Sequence, residues 1–248
     1  DFRYLGLLRR GAQFKGGGNI FELMEDCDFS TQYNNDGIVN RTKIPNFDSS
    51  GIIRNYTITK KVLAVNGVTK VFKKEITDVL TKPFYKLFLP ENNVVGVTSV
   101  IQKDGVGYQS LPTNIEFMGN AVNKWYEVDA LAQEEVFVID PSSPQDNVGI
   151  KVGKYLKATQ RFITEYTPEG FFHLTFGGGN ETPQNLLDSF SKNGIKINMS
   201  KFLNNMALGN MVKANSTIFV QYRVGGGKAS NVGAGSITTL NTYDFVVA

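Results

Sequence analysis

The chain has one cysteine, Cys27, one histidine, His173, and one tryptophan, Trp125, among its 248 residues. A single thiol excludes an internal disulfide framework. One cysteine and one histidine cannot supply the ligands of an ordinary zinc site. The same scarcity argues against a Ser-His-Asp or Cys-His engine, which would rest on His173 alone. No run approaches the roughly 20 apolar residues of a membrane-crossing helix, so no membrane partner is expected. A charged leader with an apolar segment behind it is also missing. The chain opens at Asp1 on sequence that already reads as folded, and it is expected to be a piece of a longer polypeptide. Charge of one sign is scarce too. The 26 basic and 23 acidic side chains leave +3, too little to point to nucleic acid as a partner.

Glycine (25) and asparagine (23) are abundant, and both favour tight turns and positive φ. With 41% hydrophobic and 12% aromatic residues, the chain can bury one large core or two smaller ones. Its charge is divided. Residues 1–95 carry a net +4, residues 96–180 a net −4 and residues 181–248 a net +3. Opposite signs in adjacent segments suit contacts between domains or subunits, while chance fluctuation on a mixed surface gives the same pattern.

Strand patterns dominate. Residues 56–65 and 68–77 are rich in β-branched types, and Asn66-Gly67 between them predicts a hairpin with a type I′ turn. Lys60, Lys61, Lys70, Lys73 and Lys74 fall on these two runs. Protection of an exposed strand edge explains them better than a phosphate or acidic partner, because no aromatic stacking row accompanies them. Further strands are expected over 94–101, 114–118, 122–130, 135–139, 161–167, 171–176, 217–224 and 236–240. Thr182-Pro183 opens a predicted helix over 183–193, with Leu186, Leu187 and Phe190 on one face and Gly194 past its end. Met199, Phe202, Leu203 and Met206 predict a second helix over 199–208. The fold class expected is mainly β, α+β with minor helix: several small β blocks with tight Gly/Asn turns and a helical insertion near 183–208.

Three glycine runs invite a phosphate-loop reading: 16–18, 177–179 and 225–227. Only the last is followed by lysine, and Ala229 stands where a magnesium-binding hydroxyl is needed. The residues beyond read as turn and strand, not helix. Turns explain these runs. The neighbours Glu25-Asp26 and Glu134-Glu135 point to opposite faces of a strand, so neither forms a carboxylate dyad alone. Asp26, Asp28 and Asp36 do not match a calcium loop. His173 alternates with Phe172 and Leu174 and is expected to be a satisfied structural histidine. No catalytic constellation, cofactor or metal is expected. A carbohydrate-binding module is the rival reading, with Tyr33-Asn34-Asn35-Asp36 and Tyr108-Gln109 at loop tips. A glycan-cleaving enzyme resting on Glu116, Glu127 or Asp129 is the third.

Ile218-Phe219-Val220-Gln221-Tyr222-Arg223-Val224-Gly225-Gly226-Gly227, then Asn231-Val232-Gly233-Ala234-Gly235-Ser236-Ile237, resembles the signature of the baseplate J-like family of contractile phage tails. There a strand ending in Tyr-Arg runs into a glycine turn, and a small-residue turn leads to Ile. Trp125-Tyr126-Glu127-Val128-Asp129-Ala130-Leu131 is similar to an upstream strand of the family. Leu174-Thr175-Phe176-Gly177-Gly178-Gly179 is similar to its Phe-Gly turn. The resemblance spans about residues 96–248. It implies a baseplate J-like β domain there and an N-terminal β region over 1–95 with one or two subdomains. An insertion at about 180–216 departs from the family's short link and points to a lineage-specific interface.

The resemblance further implies a structural protein of the virion tail baseplate, not an enzyme, assembled in the host cytoplasm. Its implied partners are itself, through homodimer and ring contacts, and other baseplate wedge proteins. Gly177, Gly178, Gly225, Gly226, Gly233 and Gly235 are expected at turns that glycine alone tolerates cheaply. Trp125, Phe219 and Tyr222 are expected to anchor the core or an interface, and Arg223 to pair with an acid or cap a turn.

Overall fold

The computed structural model describes residues 5–33, 38–112, 115, 123–139, 153–179 and 208–247. Strand dominates, and helix among the described residues is confined to two 3₁₀ turns, Asp78–Leu80 and Gly227–Ser230. The expected helices over 183–193 and 199–208 lie outside the described residues, Leu208 excepted. From there to residue 215 the chain is irregular and not helical. Of the expected strand 114–118 only Ile115 is described, and it is not in a strand.

Contacts divide the chain into two compact units. The smaller is Asp1–Thr69 with Asp140–Val152 and Gly225–Ala248; the larger is Lys70–Ile139 with Gly153–Val224. The division expected at residue 95 falls instead inside a strand, Val94–Asp104.

The smaller unit holds β1 (Leu7–Leu8), β2 (Gln13–Gly16), β3 (Asn19–Leu23), β4 (Cys27–Asp28), β5 (Arg41–Phe47), β6 (Ile53–Lys60) and β7 (Ala64–Asn66). β8 (Val68–Ile76) leads out of it, and β17 (Ile237–Thr242) and β18 (Phe245–Val246) return to it. β17-β2-β3-β7 form one sheet, β18-β1-β4 a second, and β5-β6 a separate two-stranded ribbon. Leu8, Ala12, Leu23 and Cys27 make its core, with Phe14 and Phe29 packed on it. Burial pushes the Cys27 thiol above its usual range, which suits an inert packing residue.

Asn66-Gly67 does not make the expected hairpin. β7 pairs with β3, through Phe21↔Asn66, and β6 pairs with β5. A type I′ turn needs positive φ at both central residues; Gly67 has it, at 111°, and Asn66 does not. The Asn66 carboxamide is committed to tertiary contacts instead. Its Nδ2 donates to the Ile20 carbonyl and its Oδ1 accepts from the Gly226 N–H, both at 3.1 Å. The five lysines therefore share no hairpin. Lys70, Lys73 and Lys74 lie on β8, an edge strand of the larger sheet, where lysine discourages edge pairing.

The larger unit adds β9 (Lys86–Phe88), β10 (Val94–Asp104), β11 (Lys124–Glu127), β12 (Glu135–Ile139), β13 (Gly153–Lys157), β14 (Arg161–Tyr166), β15 (Phe172–Phe176) and β16 (Ser216–Val224). Its main sheet runs β8-β16-β10-β11-β14-β15-β9. The β11–β14 pair is parallel and β12–β13 is a separate antiparallel pair. β16 is buried along nearly all its length, with the polar Ser216, Thr217, Gln221 and Arg223 buried too. The period-2 alternation sends Ile218, Val220 and Tyr222 into the principal core with Val100, Trp125, Phe162, Leu174 and Phe176. Phe219 goes to the other face, against Ile101 and Ile115.

Candidate functional site

Trp125, Phe219 and Tyr222 are core anchors. The Trp125 ring meets Phe176 edge-on at 4.8 Å. Its indole N–H donates to Gln102 Oε1 at 3.2 Å, and Gln102 Nε2 donates to Ser216 Oγ at 2.6 Å and to the Lys213 carbonyl at 3.2 Å. Phe219 packs edge-on with Tyr108 at 5.5 Å. The Tyr108 hydroxyl donates to the Asp104 carbonyl at 2.7 Å, so this ring is not free at a loop tip as a sugar platform requires. Tyr33 is exposed, and Asn34–Asp36 beside it lie outside the described residues. Arg223 is buried, next to Tyr222 on β16.

Tyr222 donates its hydroxyl proton to Glu91 Oε2, and Lys70 Nζ donates to Glu91 Oε1 at 2.7 Å. Burial, with the Glu91 hydrogen bond adding to it, pushes the phenol well above its usual range. Burial also works to raise the Glu91 carboxyl, but hydrogen bonds from Lys70 and Tyr222 outweigh it and hold the carboxyl low. A carboxylate with a depressed pKa stabilises the fold above its unfolded pKa and loses that contribution as pH falls through the folded one. Glu91→Gln is therefore expected to lower the urea midpoint at neutral pH. It is also expected to flatten the fall of that midpoint as pH drops below the ordinary carboxylate range, where the wild type protonates Glu91.

The glycine turns differ in what they demand. A Cβ on Gly177 would meet the Gly209 carbonyl carbon at 2.4 Å and the Asn210 oxygen at 2.6 Å, backbone that cannot swing aside. At Gly226 the clash is with Ser230 Oγ at 1.7 Å, and at Gly178 with the Phe84 ring at 2.6 Å. Gly235 needs its glycine for a φ of +76°. Gly225 follows directly on β16. Gly233 has no such need, since a Cβ there meets only Ser236 Oγ at 3.7 Å.

Where β11 parts from β14, a cavity of about 280 Å³ opens, lined by Glu127, Val128, Asp129, Ile163, Thr164 and Glu165. The β11–β14 ladder runs only from Tyr126↔Arg161 to Glu127↔Phe162, so Ile163–Glu165 border the gap. Val128 and Ile163 pack into the buried cluster with Val136 and Ala158, and by strand alternation Glu127 and Glu165 point to opposite faces of the sheet. Thr164 Oγ1 donates to Glu127 Oε1 at 2.5 Å. Glu165 Oε2 lies 3.4 Å from His173 Nε2. His173 is buried and stacked on Phe88, with ring centroids 5.0 Å apart. Burial first, and Lys86 second, lower its pKa despite Glu165, so the ring is neutral at pH 7. Contrary to expectation it is not fully satisfied: among the described residues neither ring nitrogen makes a well-formed hydrogen bond, and Glu165 approaches only to 3.4 Å. Among the described residues no cluster of His, Cys, Asp and Glu is arranged to hold a metal ion. Glu116 lies outside the described residues, and Glu127 and Asp129 both line the cavity.

No family model, curated protein or solved structure matches this chain.

Two features escaped the sequence. Arg161 is only 2% exposed; its Nε donates to the Leu131 carbonyl and its Nη1 to the Ala158 carbonyl, both at 2.7 Å. It ties the β12–β13 region to the start of β14, and nothing in the local pattern marks it. The second is the β5–β6 ribbon, which pairs with no other strand among the described residues. Its register, Lys43↔Ile58, Pro45↔Tyr56 and Phe47↔Ile53, puts these side chains on one face. The opposite face carries the exposed Ile44 among polar residues, with Asn46 Nδ2 donating to Asn55 Oδ1 at 2.7 Å and to Thr57 Oγ1 at 2.8 Å. At the ribbon's base Lys60 Nζ donates to the Asp28 and Thr31 carbonyls, and Arg41 Nη1 to those of Phe29 and Ser30. At its tip Asp48 Oδ1 accepts the N–H groups of Ser50 and Ile52 at 2.9 and 3.0 Å.

Proposed function

We propose that this chain is part of a structural wedge subunit in the baseplate of a contractile phage tail, most like that of the T-even phages. It associates with further copies of itself and with other wedge proteins in the inner ring. It moves as rigid β blocks, by hinge motion between them, when the baseplate changes state for sheath contraction. A catalytic step and a cofactor form no part of this reading, and nucleic acid and membrane are not among its partners. The observation that carries it is convergence. The three stretches of the larger unit that bear the resemblance sit on strands of one sheet, with Trp125 of β11 against Phe176 of β15 and Tyr222 of β16 in the same core. Two different self-contacts are what a closed ring of dimers needs, because one isologous patch stops at the dimer.

Affinity capture with the tagged chain from infected-cell lysate tests the reading. Untagged full-length copies and further tail proteins are expected in stoichiometric amounts. Capture of nothing by a folded bait contradicts it and turns attention to glycan arrays. The observation favouring that second reading is the exposed Tyr155 ring, packed edge-on with Phe137 at 5.5 Å.

A further inference from the structure

A free strand edge can pair with another chain, and most edges here are guarded against it. Among the described strands, β8 carries Lys70, Lys73 and Lys74, β13 carries Lys154 and Lys157, and β9 lies between Pro83 and Pro90. β17 is broken by two register shifts, and β4, β7 and β18 are only two or three residues long. β5 holds Pro45. The Lys61 N–H donates to the Asn40 carbonyl at 3.0 Å, so alternation turns the backbone of residues 41, 43 and 45 outward. Pro45 therefore sits where that edge would need a donor. Two edges are left. On β6 the same alternation turns Tyr56, Ile58 and Lys60 outward, along the uncharged run 55–59. On β12 the Ala158 N–H donates to the Glu134 carbonyl at 2.7 Å, which turns the backbone of Glu135, Phe137 and Ile139 outward. Both edges are open: Tyr56 is 46% exposed and Phe137 60%. Their flanking charges are opposite. Lys60 and Lys61 end β6, while Glu134 and Glu135 open β12.

We infer that the β6 edge of one copy pairs antiparallel with the β12 edge of a second copy, joining them in one sheet of order β5-β6-β12-β13. The register that matches the charges also matches the backbone. It sets Lys60 opposite Glu135, Ile58 opposite Phe137 and Tyr56 opposite Ile139, so outward N–H and C=O groups of the two strands meet. Lys61 then falls opposite Glu134, and Ile58 and Tyr56 share a face with Phe137. Charge selects β12 over a second β6. Between residues 38 and 63 stand Arg41, Lys43, Arg54, Lys60 and Lys61 against Asp48 alone, so two ribbons side by side would repel. The two edges are different surfaces, so the contact is heterologous and adds copies head to tail, as a ring requires. This rests on the self-assembly reading above and names the contact.

Sedimentation of the purified chain tests it. The wild type is expected to self-associate, less tightly as salt is raised. Ile58→Pro and Phe137→Pro each remove one outward donor and spare the ladder inside the strand pair. Each is expected to lose at least about tenfold in association constant. Mixed together they are expected to form heterodimers, because one keeps its β12 edge and the other its β6 edge; this recovery also certifies that both are folded. Charge reversal is the second measurement and spares the backbone. K61E and E134K are each expected to lose about two- to fivefold, and K61E/E134K to regain the wild-type constant. A monomeric wild type, a proline variant that associates like the wild type, a mixture of folded proline variants that stays monomeric, or a double reversal without recovery overturns the inference. If the chain associates through another surface and still captures tail proteins, this contact fails while the wedge reading stands. If the two edges pair as described and no tail protein is captured, the reverse holds.

Discussion

Trp125→Ala is expected to destabilise the larger unit by about 3–5 kcal/mol, the range for removing a buried large aromatic side chain. Trp125 is 2% exposed and sits in the principal core of the larger unit. Its loss removes the edge-on contact with Phe176 and leaves Gln102 Oε1 without its donor in the core. Trp125→Phe separates the two terms. It keeps most of the volume and should cost about 1–3 kcal/mol, chiefly for the unpaired Gln102 oxygen. Urea unfolding followed by far-ultraviolet circular dichroism measures both, because the variants carry no tryptophan to report by fluorescence. A loss below about 1 kcal/mol for the alanine variant would contradict the place given to Trp125.

Gly177→Ala is the second large effect, at about 1–3 kcal/mol from overpacking alone. The added methyl would press on the Gly209 carbonyl group and the Asn210 oxygen, and relief requires moving backbone next to Arg161, whose stem lies against Gly209. Gly233→Ala is the internal control. Both glycines belong to stretches with the same family resemblance, yet Gly233 has room, and its substitution is expected within about 0.5 kcal/mol of the wild type. Equal losses at the two positions would sink the steric argument.

These glycines mark how far the sequence reaches. A glycine run announces a turn, but whether a Cβ fits depends on what packs against it. For Gly177 that is Gly209, and the 177–209 contact is invisible in either local pattern. Strands whose signal lies within themselves were legible. The alternation in β16 places Tyr222 and Phe219 on opposite faces, and 135–139 coincides with β12. Asn66-Gly67 misled because turn propensity is local, while the Asn66 carboxamide is claimed by Ile20 and Gly226 from far away in sequence. The cavity was half legible. Glu127 and Asp129 stood out as acids, but the parallel pairing of β11 with β14 brings in Thr164, 37 positions from Glu127, and Glu165 after it. Of the ribbon only residues 56–60 read as strand; that β5 pairs with β6, and that the ribbon pairs with no other strand among the described residues, are properties of the whole fold.

The unpaired β5–β6 ribbon, with Phe47, Ile53 and Tyr56 exposed, is the surface that favours the proposed role of a part that binds its neighbours. Affinity capture from infected cells, at low and at high salt, with every retained protein identified and quantified by mass spectrometry, tests this most directly. The account predicts untagged full-length copies of the same protein together with other tail proteins in fixed ratio. A folded bait that retains no tail protein at either salt concentration would contradict it.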